Sequence, residues 1–143
     1  MKANLNLDQW AAQAAQQIVY DEEVDPKKLF NVLNKALGVL QSQGVYACML
    51  YLYAESDQQH ASRIRHSLWD QLQRLEQEAH FKWRDERGKE VHRPQTHPNK
   101  TGQRQVLAFF ANVVASDFDT LLLVRDLYEQ TLIYARYHAK ALG

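Results

Sequence analysis

Residues 25–54 read DPKKLFNVLNKALGVLQSQGVYACMLYLYA, and this stretch carries the clearest helix signals in the chain. Asp25 is a capping carboxylate, and proline follows it at the first helical position, where the missing backbone N–H would have no partner in any case. Gly44 can adopt the left-handed backbone conformation that ends many helices. The pattern therefore predicts a helix that begins at Pro26 and closes at Gly44.

The apolar run Val45–Ala54 follows directly. Periodicity does not separate a buried strand from a buried helix in so short a run. We interpret it as a helix, because no other segment offers a convincing strand to pair with it. A lone strand would leave its backbone N–H and C=O groups unpaired. The run is also far shorter than the roughly 18 apolar residues that a membrane-spanning helix needs.

Apolar residues recur at helical spacing on both sides of this stretch. Upstream, Asn6 is the expected cap of a first helix, whose apolar face includes residues 7–18. Downstream, Ser56 or Asp57 is the expected cap of a long amphipathic helix. Its apolar stripe covers residues 61–79 and extends to Trp83, which predicts a helix that projects from the body of the protein.

Glycine and proline interrupt residues 88–102, and apolar side chains nearly vanish there, which predicts an irregular, basic loop. Loops of this length in small domains are usually functional or disordered. Two further helices are predicted at residues 105–115 and 117–142, the second with Ser116 as its cap. We therefore predict an all-α fold, a single compact bundle of about six helices formed by one domain over residues 1–143.

Charge is balanced overall but placed unevenly along the chain. The 17 Lys and Arg residues match 17 Asp and Glu residues, so the formal net charge at pH 7 is zero. This argues against a protein that coats nucleic acid over its whole surface. Residues 80–104 hold seven Lys or Arg against three acidic residues, whereas residues 1–25 hold one Lys against five acidic residues. Such polarity suits a subunit that meets an anionic partner on one side.

The chain has a single cysteine, Cys48, so no internal disulfide can form, and nothing in the sequence demands an oxidising compartment. Residues 1–8 carry polar Asn and Asp where a signal peptide would need an apolar run. We therefore expect a cytoplasmic protein with no membrane partner.

The residues form no strong catalytic or metal-binding signature. Glu-x-x-His does not occur, which excludes a carboxylate-bridged di-metal bundle. A zinc site built from His80, His92, His97 and Cys48 would match no known ligand spacing. Glycine-rich phosphate loops are also missing from the sequence. We expect no catalytic residue, no bound metal and no cofactor.

One pair of residues supports an alternative function. Arg87, followed after four residues by His92, resembles the Arg-x(4–6)-His signature of helical HEPN ribonucleases. In that chemistry the histidine moves protons while the arginine stabilises the scissile phosphate, without a metal. A solvated basic loop is the favoured interpretation, because the pair lies in a segment broken by glycine and proline.

Cations on the predicted helices are the remaining candidates for binding. Each could neutralise a phosphate with sequence-independent, salt-sensitive affinity, or could be an ordinary solvated charge. They are Lys27, Lys28 and Lys35 on the second helix, Arg63 and Arg65 on the fourth, and Arg136 and Lys140 on the last.

Three stretches, in order along the chain, carry a family resemblance. They are residues 7–18 (LDQWAAQAAQQI), residues 35–44 (KALGVLQSQG) with the apolar run that follows, and Asp117-Phe118 with the ending YARYHAKAL. Together they resemble the small, all-helical subunit of type III-B (Cmr) RNA-guided CRISPR effector complexes. Trp10 stands where this family often has arginine, and Gln43 stands where it usually has asparagine.

The resemblance implies a non-catalytic subunit that acts in antiviral defence. Copies of such a subunit stack along the complex and line the groove where target RNA pairs with guide RNA, while neighbouring subunits cleave. Lys35, Arg136 and Lys140 lie inside the matching stretches, so an RNA-facing role is implied for these three. Arg93 and Lys100, in the basic loop, are further RNA-binding candidates from residue type alone. A generic helical adaptor without a nucleic-acid partner is the other alternative.

Overall fold

The computed structural model describes residues 6–143 and confirms the all-α fold with six helices. Part of the polar N-terminal stretch used to predict localisation, residues 1–5, lies outside this range. The helices are α1 (Leu7–Val19), α2 (Pro26–Gln43), α3 (Val45–Ala54), α4 (Gln58–Glu78), α5 (Gln103–Asn112) and α6 (Phe118–Leu142). Two short strands, β1 (Trp83–Arg84) and β2 (Glu90–Val91), form an antiparallel hairpin between α4 and α5. Among these residues no helix is long and apolar enough to cross a bilayer.

The signals in residues 25–54 produce the two helices that the sequence predicts. The Asp25 carboxylate accepts hydrogen bonds from the backbone N–H groups of Lys27 (3.1 Å) and Lys28 (3.3 Å), so it caps α2. Gly44 has a φ of 102°, which glycine adopts without strain. The chain turns there and enters α3, whose apolar side chains belong to the central hydrophobic core.

Buried polar contacts join α4 to α6 across this core. The Tyr128 hydroxyl donates to the backbone carbonyl of Leu68 (2.8 Å), and the Gln71 amide donates to the Thr131 hydroxyl (3.2 Å). All four residues are buried. Because a buried polar group without a partner is costly, these bonds favour one register of α6 on α4.

The predicted extension of α4 to Trp83, and its projection from the body, are wrong. The helix ends at Glu78, and the chain turns at His80, which has a φ of 55°. Trp83 then lies in β1, where its ring packs 5.2 Å from that of Phe109 and its indole N–H donates to Glu76 (2.5 Å). The apolar spacing continued past the helix end because Trp83 enters the same core from a strand.

Two smaller predictions also need correction. The cap of α6 is Asp117, whose carboxylate accepts from the backbone N–H of Thr120 (2.9 Å), while the Ser116 hydroxyl bonds to the carbonyl of Val113 (2.8 Å). The helix predicted at 105–115 is α5, which begins at Gln103, ends at Asn112 and is followed by a 3-10 turn at Val114–Ser116. The irregular loop is confirmed for residues 92–102, whereas Glu90–Val91 pairs with β1.

Arg65 holds that loop against the helices. Its guanidinium is buried and donates to the carbonyl of Pro98 (2.5 Å), to the carbonyl of Leu52 at the end of α3 (2.9 Å), and to the side chain of Gln58 (2.9 Å). It also lies 4.2 Å from the centre of the Tyr53 ring. One side chain on α4 thus connects α3, α4 and the loop.

We expect Arg65→Met to reduce the free energy of unfolding by about 3 kcal/mol, because buried carbonyl groups lose their charged donor. Amide hydrogen exchange in residues 92–102 should also accelerate, since the loop loses this anchor. The matched control is Arg74→Met on the same helix, where the half-buried arginine pairs with Glu78 (2.8 Å) and lies 4.5 Å from the centre of the Trp10 ring. This control should cost about 1 kcal/mol, well below the loss expected for Arg65→Met, because neither of its contacts satisfies a buried carbonyl group. Equal losses in urea unfolding of the two variants would contradict an anchoring role for Arg65.

Candidate nucleic-acid interface

Helices α2 and α6 lie side by side and run in opposite directions. The Gln41 amide donates to Glu129 (3.0 Å), and Arg136 donates to the side-chain carbonyl of Asn34 (3.1 Å). Residue numbers therefore rise along one helix as they fall along the other. Near the end of α6, Lys140 Nζ lies 5.7 Å from the centre of the Phe30 ring.

The seam between these helices carries cations that no carboxylate neutralises. Neither α2 nor residues 130–143 contain an acidic residue. Within residues 6–143, Lys27, Arg136 and Lys140 form no ion pair, and Asn31 and Asn34 lie exposed beside them. These five residues are called the α2–α6 strip below. A shallow cavity of about 310 Å³ lies at its end, between Lys27 and Lys140.

Of the RNA-facing residues implied by the resemblance, Arg136 and Lys140 lie on the strip, one helical turn apart. Lys35 lies on another edge of α2, where its side chain is 64% exposed and its Nζ is 3.9 Å from the Glu55 carboxylate. The backbone N–H of Asp57, more than Lys35, lowers the pKa of Glu55. A pair at this distance with an exposed lysine is weak, so Lys35 remains able to meet an anion.

The two candidates in the basic loop are engaged inside the protein. Arg93 Nε lies 2.8 Å from Glu76, its guanidinium covers the Trp69 ring at 4.7 Å, and its side chain is only 12% exposed. Lys100 Nζ donates to the carbonyl of Tyr53 (2.8 Å) near the end of α3, where a positive charge is favoured by the helix dipole. The structure therefore does not bring Arg93 and Lys100 together with the strip.

The cations of α4 also stabilise the fold. Arg63 donates to the carbonyl groups of Ile18 (3.1 Å) and Gln17 (3.0 Å) at the end of α1, and it pairs with Asp21 (3.2 Å). Arg65 is buried and likewise donates to backbone carbonyl groups. Both arginines donate to carbonyl groups within the protein. Residue type and spacing in the sequence do not reveal this role.

Sequence reasoning considered Lys27 but did not select it, and it overlooked Asn31 and Asn34. A signal for them was present, since residues 27, 31 and 34 recur at steps of four and three and so share a helix face. The absence of acidic residues from two separate segments was a second signal. These two segments form one strip only because α2 and α6 are in contact in the folded protein.

A second concave feature lies between α4 and residues 81–98, with a volume of about 680 Å³. Its polar lining includes His66, Asp70, Glu76, Lys82, His92 and His97. Burial lowers the pKa of His66 below its ordinary value of 6.5, the charges of Arg65 and His97 lower it further, and Asp70 opposes them. We call this feature the histidine groove.

The alternative ribonuclease pair is not assembled in this groove. Arg87 is exposed at the turn of the hairpin, whereas His92 follows β2 and lines the groove. Because Trp83 pairs with Val91, the hairpin places Arg87 at its tip and His92 at its base. Within residues 6–143, no group of three His, Cys, Asp or Glu side chains is arranged to hold a metal ion. Cys48 lies in the core, where burial raises its pKa to about 12.

No family model, curated protein or solved structure matches this chain. The resemblance of the three stretches to the small Cmr subunit therefore stays a prediction. The surface chemistry of the described residues is the independent basis for a functional proposal.

His66 in the histidine groove is expected to make the free energy of unfolding depend on pH. The pKa of His66 is lower in the folded than in the unfolded chain, so the unfolded chain binds the proton first as the pH falls. The contribution of His66 to stability is therefore complete above pH 6.5 and declines as the pH falls through 6.5 toward the folded pKa. We expect His66→Gln to flatten the decline in the free energy of unfolding between about pH 8 and pH 5, measured by urea titration. An unchanged pH profile would contradict this role.

Proposed function

We propose that this chain is a non-catalytic, RNA-proximal small subunit of a type III-B (Cmr) ribonucleoprotein complex, with the α2–α6 strip facing the RNA backbone. The observation that carries the proposal is the strip itself, a cationic surface without neutralising carboxylates on a chain of zero net charge. A subunit that meets RNA on one face needs local rather than overall positive charge.

The spacing of the cations suits a sugar–phosphate backbone. Arg136 and Lys140 are four residues apart on α6, a rise of about 6 Å along the helix axis. Gly143, at the end of the helix, lies against Lys27, so the row of cations continues onto α2. Lysine and arginine contact phosphates without reading sequence, and the asparagine amides add hydrogen-bond donors.

The opposite end of α6 has the properties of a protein contact. Phe118 is 70% exposed and Leu122 is 39% exposed, and they lie one turn apart at the start of the helix. Eighteen residues of α6 separate Phe118 from Arg136 on the strip, a distance of about 27 Å along the helix axis. Exposed apolar side chains in a cluster are typical of protein–protein contacts. In the proposed complex, other subunits or further copies of this chain would cover them.

Charge reversal tests the RNA-facing strip. The triple variant Lys27→Glu, Arg136→Glu, Lys140→Glu should bind RNA more weakly in the assembled complex. The plot of log affinity against log salt should also become less steep, by about 0.7 for each single-strand phosphate that the protein no longer neutralises. Filter binding over a salt series measures both effects. The three side chains are at the surface, so circular dichroism should show unchanged helix content.

The matched control reverses three exposed cations away from the strip, Arg87, Lys89 and Arg104, and so changes the net charge equally. It should leave RNA affinity close to that of the wild type. Unchanged binding in the strip variant, or an equal loss in both triples, would remove the RNA-facing assignment.

A tagged pull-down from the native host tests the assembly. We expect RNA and the other effector subunits to co-purify with this chain. Their absence would favour a generic helical adaptor. RNA cleavage by the purified chain in EDTA, abolished by His92→Ala, would favour the ribonuclease alternative.

A further inference from the structure

Tyr137 lies beside the α2–α6 strip and is 63% exposed. It follows Arg136 in the chain and precedes Lys140 by three residues, so Tyr137 and Lys140 are neighbours on the helix surface. The Arg136 guanidinium lies 5.8 Å from the centre of the Tyr137 ring. The ring therefore stands in water beside two cations that form no ion pair within residues 6–143.

Nearby tyrosines differ because they make contacts within the fold. Tyr20, although 55% exposed, bonds through its hydroxyl to His138 Nδ1 (2.9 Å) and packs edge-on against that ring at 5.3 Å. The Tyr134 hydroxyl bonds to Asp8 and to Gln130. Within residues 6–143, the Tyr137 hydroxyl has no hydrogen-bond partner, and its ring is outside the hydrophobic core. The fold accordingly gains little from this aromatic ring.

We propose that Tyr137 is a stacking platform for an unpaired RNA base, so that the strip binds single-stranded RNA in preference to duplex. The inference rests on the proposed function, because it assumes that RNA lies along the strip. Surface aromatic residues are common, and exposure alone would carry no weight. The position of this ring next to Arg136 and Lys140 is what indicates a nucleic-acid base.

The cations and the ring match the two components of a single strand, which are its phosphates and its bases. Arg136 and Lys140 lie on one side of the ring, toward α2, so they can neutralise the phosphates of a strand whose base rests on the ring. A base lying on the ring presents its π face to Tyr137, which is the usual way in which proteins bind single strands without reading sequence. The adjacent Arg136 guanidinium can itself stack on a base or on the tyrosine.

Duplex RNA cannot use this platform. Its internal bases are paired and stacked on each other, so a surface tyrosine reaches only a terminal or unpaired base. The cations, in contrast, can meet the phosphates of either form. Stacking should therefore contribute affinity that is specific to single strands and nearly independent of salt, because it displaces no counterions.

The test compares a labelled single-stranded RNA with the same strand in a blunt duplex, by fluorescence anisotropy with the full chain at low salt. We expect Tyr137→Ala to weaken single-strand binding about tenfold, as expected for the loss of one base–aromatic stack, and to leave duplex binding unchanged. Tyr137→Phe retains the ring and should bind like the wild type. The matched control is Tyr46→Ala on α3, a tyrosine that is 41% exposed and outside the strip, which should have no effect.

The salt dependence separates stacking from charge. Tyr137→Ala should shift the plot of log affinity against log salt without changing its slope, whereas the strip charge reversals should flatten it. A flattened slope in Tyr137→Ala would mean that the ring acts by positioning Arg136, and this would overturn the stacking proposal.

Other outcomes distinguish this inference from the function on which it rests. Wild-type single-strand affinity in Tyr137→Ala, together with weakened binding in the strip variant, would overturn the stacking proposal and leave the RNA-facing strip intact. A wild-type chain that binds neither form of RNA would overturn both. Loss of co-purifying protein subunits with unchanged RNA affinity would assign Tyr137 to a protein contact instead.

Discussion

The antiparallel packing of α6 against α2 creates the surface that the proposed function requires. Each helix alone carries only a few cations. Pairing them at the Arg136–Asn34 contact and the Lys140–Phe30 contact joins two acid-free segments that are about a hundred residues apart in the chain. The buried bonds between α4 and α6 support this arrangement, because they favour a single register of α6 in the core. Repulsion between the cations is tolerated since the side chains remain in water.

Positive charges elsewhere in the protein have a different role. Arg65 and Arg63 donate to backbone carbonyl groups, Arg93 pairs with Glu76, and Lys100 bonds to the end of α3. A guanidinium has several donors in a fixed plane, so it can join two or three chain segments at once. Residues 80–104 have the largest local excess of positive charge, and part of that charge attaches the segment to α4. Local charge counts along the sequence did not distinguish these structural cations from those on the strip.

Most of the fold could be predicted from the sequence. Asn6, the Asp25-Pro26 pair and Gly44 act within a few residues of themselves, and each begins or ends the predicted helix in the structure. The apolar run from Val45 was interpreted correctly because backbone groups need partners, and the sequence offered no strand to supply them. The extension of α4 to Trp83 was wrong because burial, rather than helical periodicity, maintained the apolar spacing. The hairpin was missed since strands of two residues carry too few positions to show alternation.

The sequence by itself therefore determined the helices, the absence of acidic residues from α2 and the end of α6, and a balanced total charge. These properties depend on neighbours in the chain or on composition. Only the tertiary structure decided which cations are exposed together, because that depends on contacts between distant segments. It placed Arg136 and Lys140 on one surface with Lys27, enclosed Arg65 and most of Arg93, and left the ring of Tyr137 in water beside the strip.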